Sequence, residues 1–202
     1  MALRGSRWLC GAALALPLLA TACASSQPTR FYTLAPITEP GSKPVERTRD
    51  LLVEVGPVSL PAYLDRTQIV TRLTPTRVDL SDTHSWVEPL DGLAARTVAE
   101  SLSVILGSDQ VLLWPQQGDV AADYRLEMQV LRFDTDEAGK ALLDARWLLF
   151  DADGTEPVAV RRERIEEQAQ EPAGYEERVA AMSRALALLS RRVAEEVARR
   201  TR

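Results

Sequence analysis

The chain has 202 residues, of which 46% are hydrophobic, 26% charged and only 5% aromatic, a size and balance that suit one domain. Its 24 basic and 29 acidic residues give a net charge of −5 with no basic block, which argues against nucleic acid, whose phosphates call for arrayed Lys and Arg. Two cysteines and one histidine set aside a disulfide scaffold, and they leave too few ligands for a zinc site or a Cys/His catalytic pair.

Arg4 and Arg7 form a basic start, and Trp8 to Leu19 is apolar apart from Gly11 and Pro17. A run of about a dozen residues is too short for a helix crossing a bilayer core, which needs about twenty, so residues 1–22 read as a signal peptide. Cys10 is a small apolar residue within it. The next residues, Leu19-Ala20-Thr21-Ala22-Cys23, resemble a bacterial lipobox, with Ala20 where such signals usually carry Leu. In that reading Cys23 carries the lipid and becomes the mature N-terminus. The alternative is ordinary cleavage after Ala22 or at another small-residue site, which leaves Cys23 a free thiol. Removing Arg4 and Arg7 leaves 22 basic against 29 acidic residues, a mature charge of −7. Ala24 after the cysteine, where an Asp is absent, implies by resemblance to lipoprotein sorting that the anchor lies in the outer membrane.

Residues 23–30 form a lipidated tether that spans at most about 25 Å, followed by one periplasmic domain over residues 31–202. Phe31 to Leu34 predicts a short strand, and Pro36, Pro40, Gly41 and Pro44 a loop. Leu51 to Leu60 alternates as a strand, with Gly56-Pro57 placed to bulge or break it. Gln68–Leu73 and Arg77–Leu80, split by Thr74-Pro75-Thr76, predict a hairpin. Leu90, Leu93, Val98, Leu102 and Ile105 recur at helical spacing and Gly107 supplies the stop. Val111–Trp114 predicts a short buried strand ending at Pro115. Tyr124, Leu126, Met128 and Val130 alternate with polar residues, Asp134 to Lys140 reads as a charged turn, and Ala141–Phe150 as the returning strand. Asp153-Gly154 is a hairpin turn leading to a third strand through Val158 and Val160. From about Gly174 to Arg200, Val179, Met182, Leu186, Leu189, Val193 and Val197 draw one apolar helical face. The fold class is therefore α/β: a single domain with a mixed sheet containing β-hairpins and two main amphipathic helices.

Motifs of catalysis are missing: the sequence holds no G-x-S-x-G, H-E-x-x-H, P-loop or G-x-G-x-x-G. His84 lies beside Asp82 and Ser85, but a triad is assembled across a fold, and a loop histidine is the simpler reading. Asp151, Asp153 and Glu156 around Gly154 lack the remaining ligands of a calcium loop, and a hairpin turn accounts for them. Asp134, Asp136 and Glu137 read as a solvated turn. Arg184, Arg191, Arg192, Arg199 and Arg200 line the last helix as a charged solvent face, with anionic lipid headgroups as the alternative contact. Trp86, Trp114 and Trp147 read as packing residues. No cofactor or metal is called for.

One connection is apolar where loops are usually polar: Pro57-Val58-Ser59-Leu60-Pro61-Ala62-Tyr63-Leu64-Asp65-Arg66. Its side chains either fold back on the core or offer anchors to a partner. With the flanking Val53 to Gly56 and Thr67 to Val70, this segment resembles the signature of the PqiC/YmbA family of ABC-type transport auxiliary lipoproteins, with Thr67 in place of the usual proline. Trp86-Val87-Glu88-Pro89-Leu90 and the early Phe31-Tyr32-Thr33-Leu34 are similar to that family in order and spacing. The resemblance implies a three-layer-like α/β domain similar to the N-terminal part of TolB. It also implies a ring-like homo-oligomer at the outer membrane that docks an MCE-domain protein, one of the tubes that carry phospholipid across the periplasm. The family brings no catalytic residues.

Three readings of function follow. In the first the chain is a non-enzymatic outer-membrane lipoprotein, lipidated at Cys23, that serves an MCE-type lipid transport system and supports envelope integrity. Pro61, Tyr63, Leu64 and Arg66 are then the candidate oligomer or partner contact. In the second it is a lipoprotein regulator of a periplasmic cell-wall synthesis enzyme, which the short tether disfavours. A periplasmic hydrolase is a third, disfavoured by the missing motifs.

Overall fold

The computed structural model describes residues 27–36, 38, 48, 50–115 and 121–201; the leader, Cys23 and most of the proline-marked loop before Asp50 lie outside these. In chain order the elements are β1 (Arg30–Tyr32), β2 (Val53–Ser59), β3 (Gln68–Thr74), β4 (Arg77–Trp86), α1 (Leu90–Leu106), β5 (Val111–Leu113), β6 (Tyr124–Asp136), β7 (Lys140–Asp151), β8 (Pro157–Gln168) and α2 (Tyr175–Arg200).

The strands form one mixed sheet organised around β6. Along one side β6 pairs antiparallel with β7 from Tyr124 opposite Asp151 to Thr135 opposite Ala141, and β8 continues the meander beyond β7. The other side of β6 is shared. Its first half pairs parallel with β2, from Val53 opposite Tyr124 to Ser59 opposite Gln129, and its last residues pair parallel with β3. From there the sheet branches: β5 lies parallel to β2, while the β3–β4 hairpin carries the parallel β1 outside β4. Gly56-Pro57 does shift the β2 register, between Val55 and Val58. Proline has no N–H to give a ladder, and Gly56 sits at φ +124, a conformation that strains residues with a Cβ, so glycine alone holds it without strain.

The two helices lie against each other, α1 on β2 and β5, α2 on β6, β7 and β8. The apolar steps read from the sequence point into this core: Leu90, Leu93, Val98 and Leu102 from α1, and Val179, Met182, Leu186, Leu189, Val193 and Val197 from α2, are all buried. They meet Leu126, Met128, Val130, Leu143, Trp147 and Leu149 of the sheet. Gly107 closes α1 in the left-handed conformation at φ 65. Alternation on β8 assigns its two faces. Arg161, Glu163 and Glu167 pair with Glu196, Arg192 and Arg184 of α2, so the residues between them face away from the helices.

Four sequence expectations are corrected here. β4 runs to Trp86 instead of ending near Leu80, which places His84 on a strand and not in a loop. The polar run hid this, because Ser81 to His84 bulge from the β3 ladder while the Ser81 hydroxyl accepts the His84 N–H at 3.0 Å, and β1 pairs with the far side. β5 is an edge strand that is half-buried to exposed, and Trp114 lies just beyond it at 45% exposure; pairing with β2 alone leaves its other flank open. The charged turn between β6 and β7 is shorter than expected, since β6 continues through Asp136 and Gly139, at φ 77, makes the reversal. Asp134 is not solvated at all: it is 0% exposed, held under arginines from two strands.

Candidate functional site

In the apolar connection between β2 and β3, burial differs residue by residue. Leu64 turns inward and is 2% exposed, in the core cluster, with Leu60 and Tyr63 packed partly against it. Pro61, Tyr63 and Arg66 are half-buried, and Ala62, Asp65 and Thr67 are exposed. Proline at 61 favours a tight turn, and the chain takes one: the Leu64 N–H donates to the Pro61 carbonyl at 2.9 Å, and the Arg66 N–H to that of Leu64 at 2.9 Å. The Arg66 guanidinium folds back to donate to the Tyr63 carbonyl at 2.7 Å. Where the loop rejoins the sheet, the Trp86 N–H donates to the Thr67 carbonyl at 2.7 Å, which ties the two signature segments together.

Beneath the loop lies a polar clamp. The Tyr63 hydroxyl donates to Asp134 Oδ2 at 3.2 Å. Arg72 of β3 donates to the same oxygen through Nε at 3.0 Å and Nη2 at 2.9 Å, and Arg132 donates to Oδ1 at 2.7 Å. The Arg72 guanidinium also lies 5.4 Å from the Tyr63 ring centroid, within cation–π range. Burial, reinforced by the Asp134 charge, pushes the Tyr63 phenol above its ordinary pKa, so it remains a donor. Burial works against the Arg72 cation, and its bonds to Asp134 outweigh that and raise it. A buried carboxylate with donors from β3, β6 and the loop is satisfied on both oxygens, and it fixes the loop relative to the sheet.

Sequence reasoning missed Asp134, Arg72 and Arg132. The one available signal was the spacing of Arg132 and Asp134 two apart on an extended strand, which places them on one face.

The other candidates stand elsewhere. His84 stacks on Tyr175 with centroids 3.8 Å apart and an interplanar angle of 9°, and its Nδ1 lies 3.1 Å from each of the Ser81 and Thr83 hydroxyls. Burial, and then the charge of Arg30, lowers its pKa. Its partners are hydroxyls, not Asp82. Asp151 to Gly154 form the hairpin turn, with the Gly154 N–H on the Asp151 carbonyl at 3.0 Å. Among the described residues no group of three or more His, Cys, Asp or Glu is placed to hold a metal, and no helix is long and apolar enough to cross a membrane. Of the α2 arginines, Arg184 pairs with Glu167, Arg192 with Glu163, and Arg199 and Arg200 with Glu196. Trp86 and Trp147 are buried. What the loop can do chemically is present a preformed contact.

Comparison with known proteins agrees with this picture. A family model described as an ABC-type transport auxiliary lipoprotein component matches residues 32–194. No curated protein matches the chain in sequence. Among solved structures, an uncharacterised protein superposes with a TM-score of 0.67 at 24% identity, covering 85% of this chain and 99% of that one. A DUF330-family protein from Xanthomonas campestris gives a TM-score of 0.66 at 19% identity, over 82% of this chain and 93% of its own. At these identities the likeness establishes the fold: a mixed, curled sheet with two helices in a single domain.

Proposed function

We propose, from the premise that this chain belongs to the ABC-type transport auxiliary lipoprotein family, that it is a non-enzymatic outer-membrane lipoprotein of an MCE-type lipid transport system. Cys23 carries the lipid, the tether holds the domain close to the membrane, and a homo-oligomer of the chain docks the periplasm-spanning MCE-domain protein and so supports envelope integrity. The family supplies the transporter partner in coarse form, and the sequence signature at residues 53–70 supports the finer reading.

The observation that carries the proposal is the clamped loop. A contact surface binds well when its residues are ordered before the partner arrives, because the ordering entropy is then already met by folding. Here Leu64 is the internal pin, the Asp134 clamp holds Tyr63 from beneath, and Pro61, Tyr63 and Arg66 are left at the surface. Tyrosine and arginine are the residue types that dominate contact energy.

The test is an Arg66→Ala variant of the lipoprotein in its native envelope, with Tyr63→Phe as the control that keeps the ring. Arg66→Ala is expected to lower recovery of the MCE-domain protein in crosslinked complexes while stability falls by no more than about 1.5 kcal/mol, since the one bond lost, to the Tyr63 carbonyl, is partly replaced by water. Full recovery of the partner with Arg66→Ala would remove the loop from the interface.

A further inference from the structure

The face of the sheet turned away from the helices carries a band of arginines across three strands: Arg132 on β6, Arg146 on β7, Arg162 and Arg164 on β8. Of the carboxylates on this face, Asp134 at 0% and Asp144 at 8% exposure lie beneath, while Glu127, paired with Arg125, and Glu166 stay partly exposed, so that guanidinium groups outnumber carboxylates at the outer surface. Asp134 is taken by Arg132 and Arg72, and Asp144 by a two-pronged bond from Arg162 at 2.9 and 2.8 Å. Arg164 shares Glu166 with Lys140 at the margin. Arg146 has no hydrogen bond or ion pair with any described residue, it is exposed, and its direct neighbour across the ladder is Arg162. Like charges placed directly opposite on a sheet are destabilising, and here only one of the two has a carboxylate. Beside this pair the face turns apolar: Leu148 stands opposite Val160, which is 47% exposed, and Arg125 covers the Phe150 ring at 4.9 Å.

We propose that this face rests on an anionic lipid surface, with Arg146 and Arg162 binding lipid phosphates and Val160 pressing against the headgroup region. This inference rests on the reading of Cys23 as a lipid anchor. Charge complementarity favours lipid. The mature chain is net −7 and repelled by an anionic membrane over most of its surface, so a face with surplus arginine is the one such a membrane selects. The reach also fits. From β1, where the tether enters, to β8, which carries Val160 and Arg162, the path crosses β4, β3, β6 and β7, five strand spacings or about 24 Å. The tether spans up to about 25 Å.

The experiment uses the full-length lipoprotein with Val160→Cys, whose thiol carries an environment-sensitive dye, placed on vesicles of phosphatidylcholine alone or with about one-third phosphatidylglycerol. The expected result is a blue shift and loss of access to an aqueous quencher on the anionic vesicles only, reversed by about 0.5 M salt. Arg146→Gln should lower the ratio of bound to free face about fivefold, and Arg146→Glu about twenty-five-fold. The melting temperature of Arg146→Glu should hold or rise, because the reversal relieves the clash with Arg162, and this separates a binding role from a structural one. Equal dye signals on both vesicles, or an unchanged shift with Arg146→Gln, overturns the proposal. A shift on neutral vesicles that grows with protein density means a second copy covers the face; one seen only in whole envelopes means an acidic protein does. Either result also overturns it. Flotation separates failure of the anchor reading: a chain without acyl groups does not float with neutral vesicles, and with Cys23→Ser added, so that position 160 alone takes the dye, it still reports the face on anionic ones.

Discussion

Asp134→Asn is the substitution that tests whether the clamp holds the loop. The change removes the charge that draws in Arg72 and Arg132, and it turns one acceptor oxygen into a donor facing a guanidinium. Hydrogen bonds to charged groups contribute about 1.5–3 kcal/mol each, and removing one partner of a buried ion pair costs about 3–5 kcal/mol. The arginine side chains keep 16% and 29% of their exposure, so water replaces part of what they lose, and the four donors, from three side chains, act on one group and are not additive. A loss of about 3 kcal/mol follows, or about 6–12 °C in melting temperature for a domain of this size. Tyr63→Phe, which removes one donor, should cost about 1 kcal/mol. Urea denaturation gives the stability. Hydrogen exchange of the Leu64 and Arg66 amides, whose bonds close the loop, gives its local order. A loss below about 1 kcal/mol with Asp134→Asn, or a larger loss without faster exchange at these amides, would refute the reasoning.

Leu64→Ala should cost about 2–5 kcal/mol in denaturant melts, since the side chain is in the core; Pro61→Ala and Arg66→Ala should each cost far less. Gly139→Ala should destabilise by about 2–4 kcal/mol, because φ is +77 and a Cβ there would stand 2.8 Å from that of Ala173. The hydrogen bonds from Arg162 hold the Asp144 carboxyl below its ordinary pKa. Its folded value is depressed, so its contribution to stability is complete above the unfolded aspartate pKa of about 3.9 and is lost as pH falls through the lower folded value. The stability gap between the native chain and Asp144→Asn should therefore be constant near neutrality and close only in strong acid; a gap that closes near pH 6 would contradict this.

Helices were the most legible part of the sequence. The three- and four-residue steps from Val179 to Val197 all point into the core, and Gly107 ends α1 in the conformation that glycine favours. Local chemistry also announced the hairpins and the irregularity at Gly56-Pro57. What escaped was set by distant partners. Asp134 lies in a run, Asp-Thr-Asp-Glu, that reads as a solvated turn; its burial comes from Arg72, 62 residues earlier, and from Tyr63, 71 residues earlier. The register shift between Val130 and Arg132 also breaks the alternation that would have carried the strand through it. His84 was hidden in the same way, because β4 is extended by pairing with β1. At the loop, the sequence posed core and contact as alternatives, and the fold assigns Leu64 to the first while leaving Arg66 at the surface.

Crosslinked capture of the tagged, full-length lipoprotein from whole membranes, with mass spectrometry of its partners, tests the central claim most directly. The account predicts an MCE-domain protein in the eluate, reduced when Arg66→Ala replaces the native chain. A cell-wall synthase in its place, with no MCE-domain protein, would contradict it.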